Sequence, residues 1–303
     1  MTPGTLAAGR IPYAGLGLDR AGDRRADPDW VAGLAAGPRA VVRPMWNDEC
    51  LVAAGEPLVL PAEGWEAARL VLLGLAGDVP TFAADLSELS KDAALARTGA
   101  DGTADIRALF TGLPADEAAT LAFARGLLRW HRFQQYCGRC GSPAEPRDGG
   151  HFRACTNSGC AHLLFPRIEP AVITLVESAA EPRRCLLAKH RASKLGGYSL
   201  LAGFVEVGES LEDAVRREIR EEAGIALTRV DYVGSQPWPF PAGLMVGFRA
   251  VTADETTTAD GDEILEARWF TRERLREYAE ETHRLGRDDS IDRLILNEWL
   301  AEK

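Results

Sequence analysis

The stretch 203–225 reads GFVEVGESLEDAVRREIREEAGI, and it sets glutamates and an arginine at spacings that can do chemistry. Glu218 and Glu222 stand four residues apart and share one helical face, with Glu221 one helical step from their row. Carboxylates so crowded repel one another. A divalent cation relieves the conflict: magnesium and manganese take hard oxygen ligands and keep waters and substrate phosphates in their shell. An acidic run of this kind taken alone reads as a solvated helix face.

The element that must carry these groups is marked at both ends. Ser210 precedes Asp213 by three residues, as in a capping box, and Gly224 is placed to end the helix in a left-handed cap. Leu211, Ala214, Val215 and Ile219 recur at helical spacing and predict a buried stripe.

The fixed positions are Gly203, Glu209, Arg217-Glu218-Ile219, Glu221-Glu222 and Gly224-Ile225, with five, seven, one and one residues between them. This pattern is identified as the signature of the Nudix hydrolases.

A second constellation is built of thiols. Cys137 and Cys140 form a CxxC knuckle, and after fourteen intervening residues Cys155 and Cys160 form a wider pair. Two knuckles separated by a short hairpin predict a zinc ribbon, in which one structural zinc supplies stability that so few residues cannot obtain from burial. A redox CxxC leaves the second pair unexplained, and a nucleic-acid-binding ribbon calls for more basic and aromatic residues. His151 and His162 are near enough to replace a ligand, although a surface or hairpin role is the ordinary one. Cys50 and Cys185 read as small core residues.

Downstream of the acidic helix, SQPWPFP spans residues 235–241. Alternating prolines fix φ and remove donors, which predicts a stiff, extended segment presenting Trp238 and Phe240 to a flat base. A rigid loop with both aromatics in the core is the competing reading.

The ribbon, the Nudix signature and SQPWPFP, in this order and with WHRFQQYCGRCG and FPRIEPAVI around the ribbon, resemble the NADH pyrophosphatase family of Nudix hydrolases. The resemblance runs from about residue 128 onward. It implies hydrolysis of the pyrophosphate of NADH or NAD to nicotinamide mononucleotide and AMP, with removal of NAD caps from RNA as a related activity.

Carried over by position, it implies metal binding by Glu218, Glu221, Glu222, Glu263 and the Ala202 carbonyl, with two or more Mg²⁺ or Mn²⁺ ions. Glu222 is the expected catalytic carboxylate, and Arg217 orients the glutamates. Phe204 is expected to stack on a base, and Phe165 to come from the partner of a homodimer, with Ile173 beside it. Substrate contacts are expected from Gln236, Pro237, Trp238, Pro239, Phe240, Pro241, Ala242 and Gly243, and from Arg107. Three features depart from the family, the least weighty being the wider second cysteine pair. Gly243 stands where a serine is usual, and Asp292 where alanine is, so that a carboxylate could repel a phosphate.

The resemblance implies that the α+β N-terminal part (1–127) is a Nudix-like domain, followed by a helix end with the ribbon (128–165) and a catalytic domain (166–303). The whole is mixed α+β, with an α/β/α Nudix sandwich last. Strands are predicted at 40–42, 50–54, 57–61, 69–73, 171–176, 184–189, 198–202, 230–234, 244–251 and 266–270, and helices at 114–135 and 291–300. Residues 1–125 carry no chemical motif.

Composition narrows the classes. In 303 residues, 46% are hydrophobic and 26% charged, as in a globular protein, and the net charge of -10 disfavours non-specific binding to nucleic acid or anionic membrane. The first residues lack a secretory leader, no apolar run has membrane-spanning length, and the clustered cysteines suit a reducing, cytoplasmic setting. Two alternatives stand beside NAD(H) hydrolysis. One is cleavage of other nucleoside diphosphate derivatives such as ADP-ribose. The other is a non-catalytic, RNA-binding ribbon protein, against which the full glutamate complement argues.

Overall fold

The computed structural model describes residues 6, 11–191 and 196–302, so most of the first ten residues, on which the expectation about a leader was placed, lie outside the described residues. The chain divides into two compact units. One comprises residues 15–167 with 239–242, and the other 1–14, 168–238 and 243–303.

The first unit opens with α1 (Pro28–Ala35), capped by Asp27, followed by β1 (Val41–Trp46), β2 (Glu49–Ala53), β3 (Glu56–Pro57), β4 (Leu60–Pro61), β5 (Leu70–Ala76) and β6 (Val79–Asp85). Next come α2 (Lys91–Thr98), β7 (Gly102–Ala104), α3 (Ile106–Leu109) and α4 (Ala115–Phe133). The sheet order is β3-β2-β1-β6-β5, with β4 on β1 and β7 on β2. Only β1 and β6 run parallel. Val42, Leu70, Leu72 and Phe82 pack with Trp30 and Leu34 of α1, whereas Leu51 packs with Ala94 and Leu95 of α2. The elements α1, α2 and β6 were not foreseen.

The ribbon belongs to this unit: β8 (Ala144–Arg147), β9 (Phe152–Cys155) and β10 (Leu163–Leu164) form an antiparallel sheet.

The second unit is the sandwich expected from the sequence. It comprises β11 (Glu169–Ser178), β12 (Arg184–His190), β13 (Leu201–Phe204), α5 (Leu211–Ala223), β14 (Arg229–Trp238), β15 (Gly243–Thr252), β16 (Ile264–Thr271), α6 (Arg272–Thr282) and α7 (Ile291–Ala301). The order β14-β15-β11-β12-β16, with β13 on β11, places the parallel β11–β15 pair at the centre. Side chains of a strand alternate between faces. Accordingly Val172 and Val176 of β11 pack with Val215 and Ile219 of α5, while Ile173 and Leu175 pack with Ile291, Ile295 and Trp299 of α7.

Two boundaries differ from the sequence reading. Leu6 and Ile11 belong to the core of this last unit, not to the N-terminal domain, and the Leu6 amide donates to the Val233 carbonyl at 2.9 Å. SQPWPFP is not one extended segment. Residues Gln236 to Trp238 continue β14, paired with Gly243 to Met245, and 239–242 form the intervening turn, with a cis bond before Pro241.

Candidate active site

The helix α5 has the predicted caps. The Ser210 hydroxyl accepts from the Asp213 amide at 3.1 Å, the Asp213 carboxylate accepts from the Ser210 amide at 3.2 Å, and Gly224 is left-handed at φ 74°. Its buried stripe fixes its rotation on the sheet, with Glu218 and Glu222 beside that stripe, Arg217 half-buried and Glu221 exposed.

Arg217 gathers the acids. Its Nε and Nη2 donate to the two oxygens of Glu209 at 2.6 and 2.9 Å, and its Nη1 reaches Glu218 at 2.8 Å and Glu221 at 3.2 Å. Nη2 also donates to the Phe204 carbonyl at 2.8 Å, tying the helix to the end of β13. The fork holds Glu209 down to about 2, and the carboxylates in turn raise the arginine. The role of Glu209 was not foreseen, because its partner is eight residues away and only the fold closes the gap.

Glu218 is packed over Gly203. A Cβ at that position would lie 1.9 Å from the Glu218 Oε1, which explains why glycine is required there. Burial raises the Glu218 carboxyl despite Arg217. Glu222 is 3% exposed, and burial, followed by the charges of Glu218, Glu263 and Asp260, pushes it up to about 8. Its Oε2 has no hydrogen-bond partner among the described residues. Asp260 was missed by sequence reasoning, since only tertiary structure brings it near the helix.

An orphaned buried carboxylate oxygen among hard oxygen donors fits a divalent cation. The acids are set loosely, however. Among the described residues, the group of three or more metal-ligating side chains lying within 4.8 Å of one another is Cys137, Cys140, Cys155 and Cys160. The glutamates thus fit ions that keep waters and substrate oxygens, not a closed cage. Glu221 is the outlying member, half-exposed and held by Arg217. Glu263 precedes β16, where its carbonyl accepts from the Arg191 amide at 2.9 Å. Ala202 lies in β13 opposite Ile173.

The other expected residues are distributed as follows. In the second unit, Phe204 is exposed, and Trp238 meets the ring of Tyr13 edge-on at 6.3 Å. Pro237 pairs with Leu244, and Gly243 packs against Trp238. Gln236 is fully buried, with its amide consumed: Nε2 donates to the carbonyls of Asp289 and Pro12 at 2.8 and 3.3 Å, and Oε1 accepts from the Ile291 amide at 2.7 Å. Its side chain braces the start of α7. Asp292, in the first turn of that helix, is 5% exposed and accepts from the Leu200 amide at 3.2 Å.

In the first unit, Phe240 lies under the guanidinium groups of Arg107 and Arg125, 5.0 and 4.8 Å from the ring centre, and the Pro239 carbonyl accepts from Arg125. Arg107 also donates to Asp105, at 3.0 and 2.6 Å. Pro241 and Ala242 complete the turn, and exposed Phe165 packs on Phe152 with ring centres 5.4 Å apart.

The four ribbon sulfurs fit zinc. Cys137 and Cys160 are 3.9 Å apart and Cys140 and Cys155 3.5 Å, close to the ~3.8 Å edge of a sulfur tetrahedron about a metal ~2.3 Å away. The wider second pair is accommodated by a turn in which Asn157 accepts from the Gly159 amide at 3.0 Å. His151 takes no part in the cluster, its Nε2 instead meeting the Leu72 carbonyl at 2.8 Å.

A mixed sheet between helices, with a capped helix presenting an arginine-organised set of glutamates, defines a Nudix domain. Residues 167–294 match the NUDIX domain family, and residues 39–130 match the NADH pyrophosphatase-like rudimentary NUDIX domain. The chain thus carries a NUDIX domain preceded by an NADH pyrophosphatase-like rudimentary NUDIX domain.

Among its relatives is the NAD-capped RNA hydrolase NudC of Mycobacterium bovis, 41% identical over 207 residues, which are 65% of this chain and 65% of that protein. The NAD-capped RNA hydrolase NUDT12 of Homo sapiens is 40% identical over 169 residues, or 54% of this chain and 36% of its own. The matched stretch thus spans between about a third and two thirds of these relatives. A solved NUDIX hydrolase from Nitrosomonas europaea overlays 50% of this chain and 93% of its own, with a TM-score of 0.40 and 23% identity. Among the described residues, no helix is long and apolar enough to cross a membrane.

Proposed function

We propose that the protein hydrolyses the pyrophosphate bond of NADH and NAD to the nicotinamide mononucleotide and AMP, and removes NAD caps from RNA 5′ ends by the same cleavage. The observation that carries this reading is the buried carboxylate oxygen of Glu222, without a hydrogen-bond partner among the described residues, within the Arg217-organised glutamates. Its support is the pair of family matches and the relatives that are NAD-capped RNA hydrolases.

When bound, two or more Mg²⁺ or Mn²⁺ ions supply electrophilic assistance at the phosphates. Glu218, Glu222, Glu263 and the Ala202 carbonyl hold them, with Glu221 at the margin. Glu222 takes the proton from the attacking water, and Arg217 keeps Glu218 and Glu221 aimed. Phe204 stacks on a base, and residues 237–243 and Arg107 contribute to substrate recognition, with Gln236 bracing the start of α7. In a homodimer, Phe165 comes from the partner subunit. One structural zinc closes the ribbon, and the reduced thiolates it needs suit the cytoplasm.

The test is a product assay on NADH, NAD and ADP-ribose with either metal, wild type beside Glu222→Gln. The expected result is AMP and the nicotinamide mononucleotide from the wild type, reduced about 10²–10⁴-fold in the variant, the range for loss of a positioned base. Cleavage of ADP-ribose without cleavage of either dinucleotide overturns the substrate assignment.

A further inference from the structure

Within the second unit a cavity of about 420 Å³ opens beside β13, between Ile173 and Ala202 on one side and Ser290, Asp292, Arg284 and Arg287 on the other. It shares Ala202 with the candidate active site, so a substrate held there can extend into it.

The charges in it are ordered by depth. Arg284 and Arg287 are exposed, and Arg287 is paired with Asp289 at 2.8 and 3.0 Å. Asp292 lies below the surface, where Oδ1 receives the Leu200 amide and Oδ2 packs so tightly over Gly286 that a Cβ there would lie 2.5 Å away. His190 also lines the cavity, but its Nε2 meets the Leu200 carbonyl at 3.1 Å and burial lowers its basicity, so it brings no competing cation. Arg293 is the remaining cation whose charge reaches Asp292, and it is turned to the Leu285 carbonyl.

A buried carboxylate with one backbone donor is expensive unless a ligand supplies a donor or positive charge. With cations outside and an anion inside, the cavity complements a zwitterion whose cationic ring lies deeper than its phosphate.

We propose that Asp292 is a specificity-determining residue that makes this site prefer the oxidised dinucleotide, with its cationic pyridinium ring, over the reduced one, whose ring is neutral. This rests on the NAD(H) reading above and goes beyond it by assigning a redox preference to one side chain. Burial raises the Asp292 carboxyl to about 6, which leaves it ionised at neutral pH.

The test measures kcat/KM for NAD and NADH in the wild type, Asp292→Asn and Asp292→Ala, with melting curves to verify folding. The isosteric Asp292→Asn keeps the Leu200 hydrogen bond and removes the charge. Its ratio of kcat/KM for NAD over NADH should fall about tenfold, as expected for one solvent-damped Coulomb attraction. Equal losses on both substrates mark a structural role at the start of α7 and overturn the proposal, as does an unchanged ratio.

Calorimetric titration of the wild type with oxidised and reduced nicotinamide mononucleotide reads the same preference without turnover or mutation. About tenfold tighter binding of the oxidised form is expected, and equal affinities overturn the proposal. A wild type that cleaves neither dinucleotide yet cleaves ADP-ribose instead defeats the NAD(H) reading itself, an outcome distinct from both.

Discussion

Glu222 has the least comfortable environment in the candidate site, and its discomfort should be measurable without any substrate. Its carboxyl moves from 4.5, the ordinary value, to about 8 in the fold. A carboxyl raised in this way binds its proton more tightly in the folded state, so its contribution to stability is complete below about pH 4.5 and is lost as pH rises toward about 8. The metal-free protein should therefore melt at a lower temperature at pH 8 than at pH 5.5, by an amount corresponding to a few kcal/mol at most. Calorimetry across that range should find the slope flattened in Glu222→Gln. The sequence announced the cluster, because Glu218 and Glu222 are near neighbours on one helix. It did not reveal that Asp260 adds to the repulsion, since proximity across 38 residues has no local sign.

Among the elements, legibility followed locality. The capping box and left-handed glycine of α5 lie within the helix they delimit, and both were readable. By contrast α6 has a single buried residue, Leu275, so no apolar stripe betrays it. The hairpin turn at 239–242 was hidden because prolines read as extended chain, whereas the pairing of Trp238 with Gly243 reverses its direction.

Gln236 gives that hairpin a role that spacing could not suggest: its amide satisfies Ile291, Asp289 and Pro12 at once. Gln236→Ala leaves these buried backbone groups without partners, each worth ~1–3 kcal/mol before relaxation. The variant should lose about 2–4 kcal/mol in denaturant unfolding, and hydrogen exchange should quicken first at the Ile291 amide.

At the scale of the whole chain, the sandwich is completed by residues from the far end of the sequence. The Tyr13 hydroxyl donates to the Asp289 carboxylate at 2.8 Å, and Leu6 and Ile11 sit in the core with Trp299. Removing residues 1–14 exposes the groups they cover and should cost the Nudix unit about 3–6 kcal/mol, from two aliphatic side chains at ~1.5–3 kcal/mol each. Calorimetry should show the loss as a lower melting temperature of that unit.

The bond between Tyr13 and Asp289 spans 276 residues, which also sets a timetable. On the ribosome, residues 6–13 emerge long before the module that they complete. Its apolar side chains must wait, unsheltered, through the synthesis of an entire other domain before their partners exist. At 5–20 residues per second that wait is about 15–55 s, an interval in which a nascent-chain chaperone has a reason to hold the segment around Leu6 and Ile11.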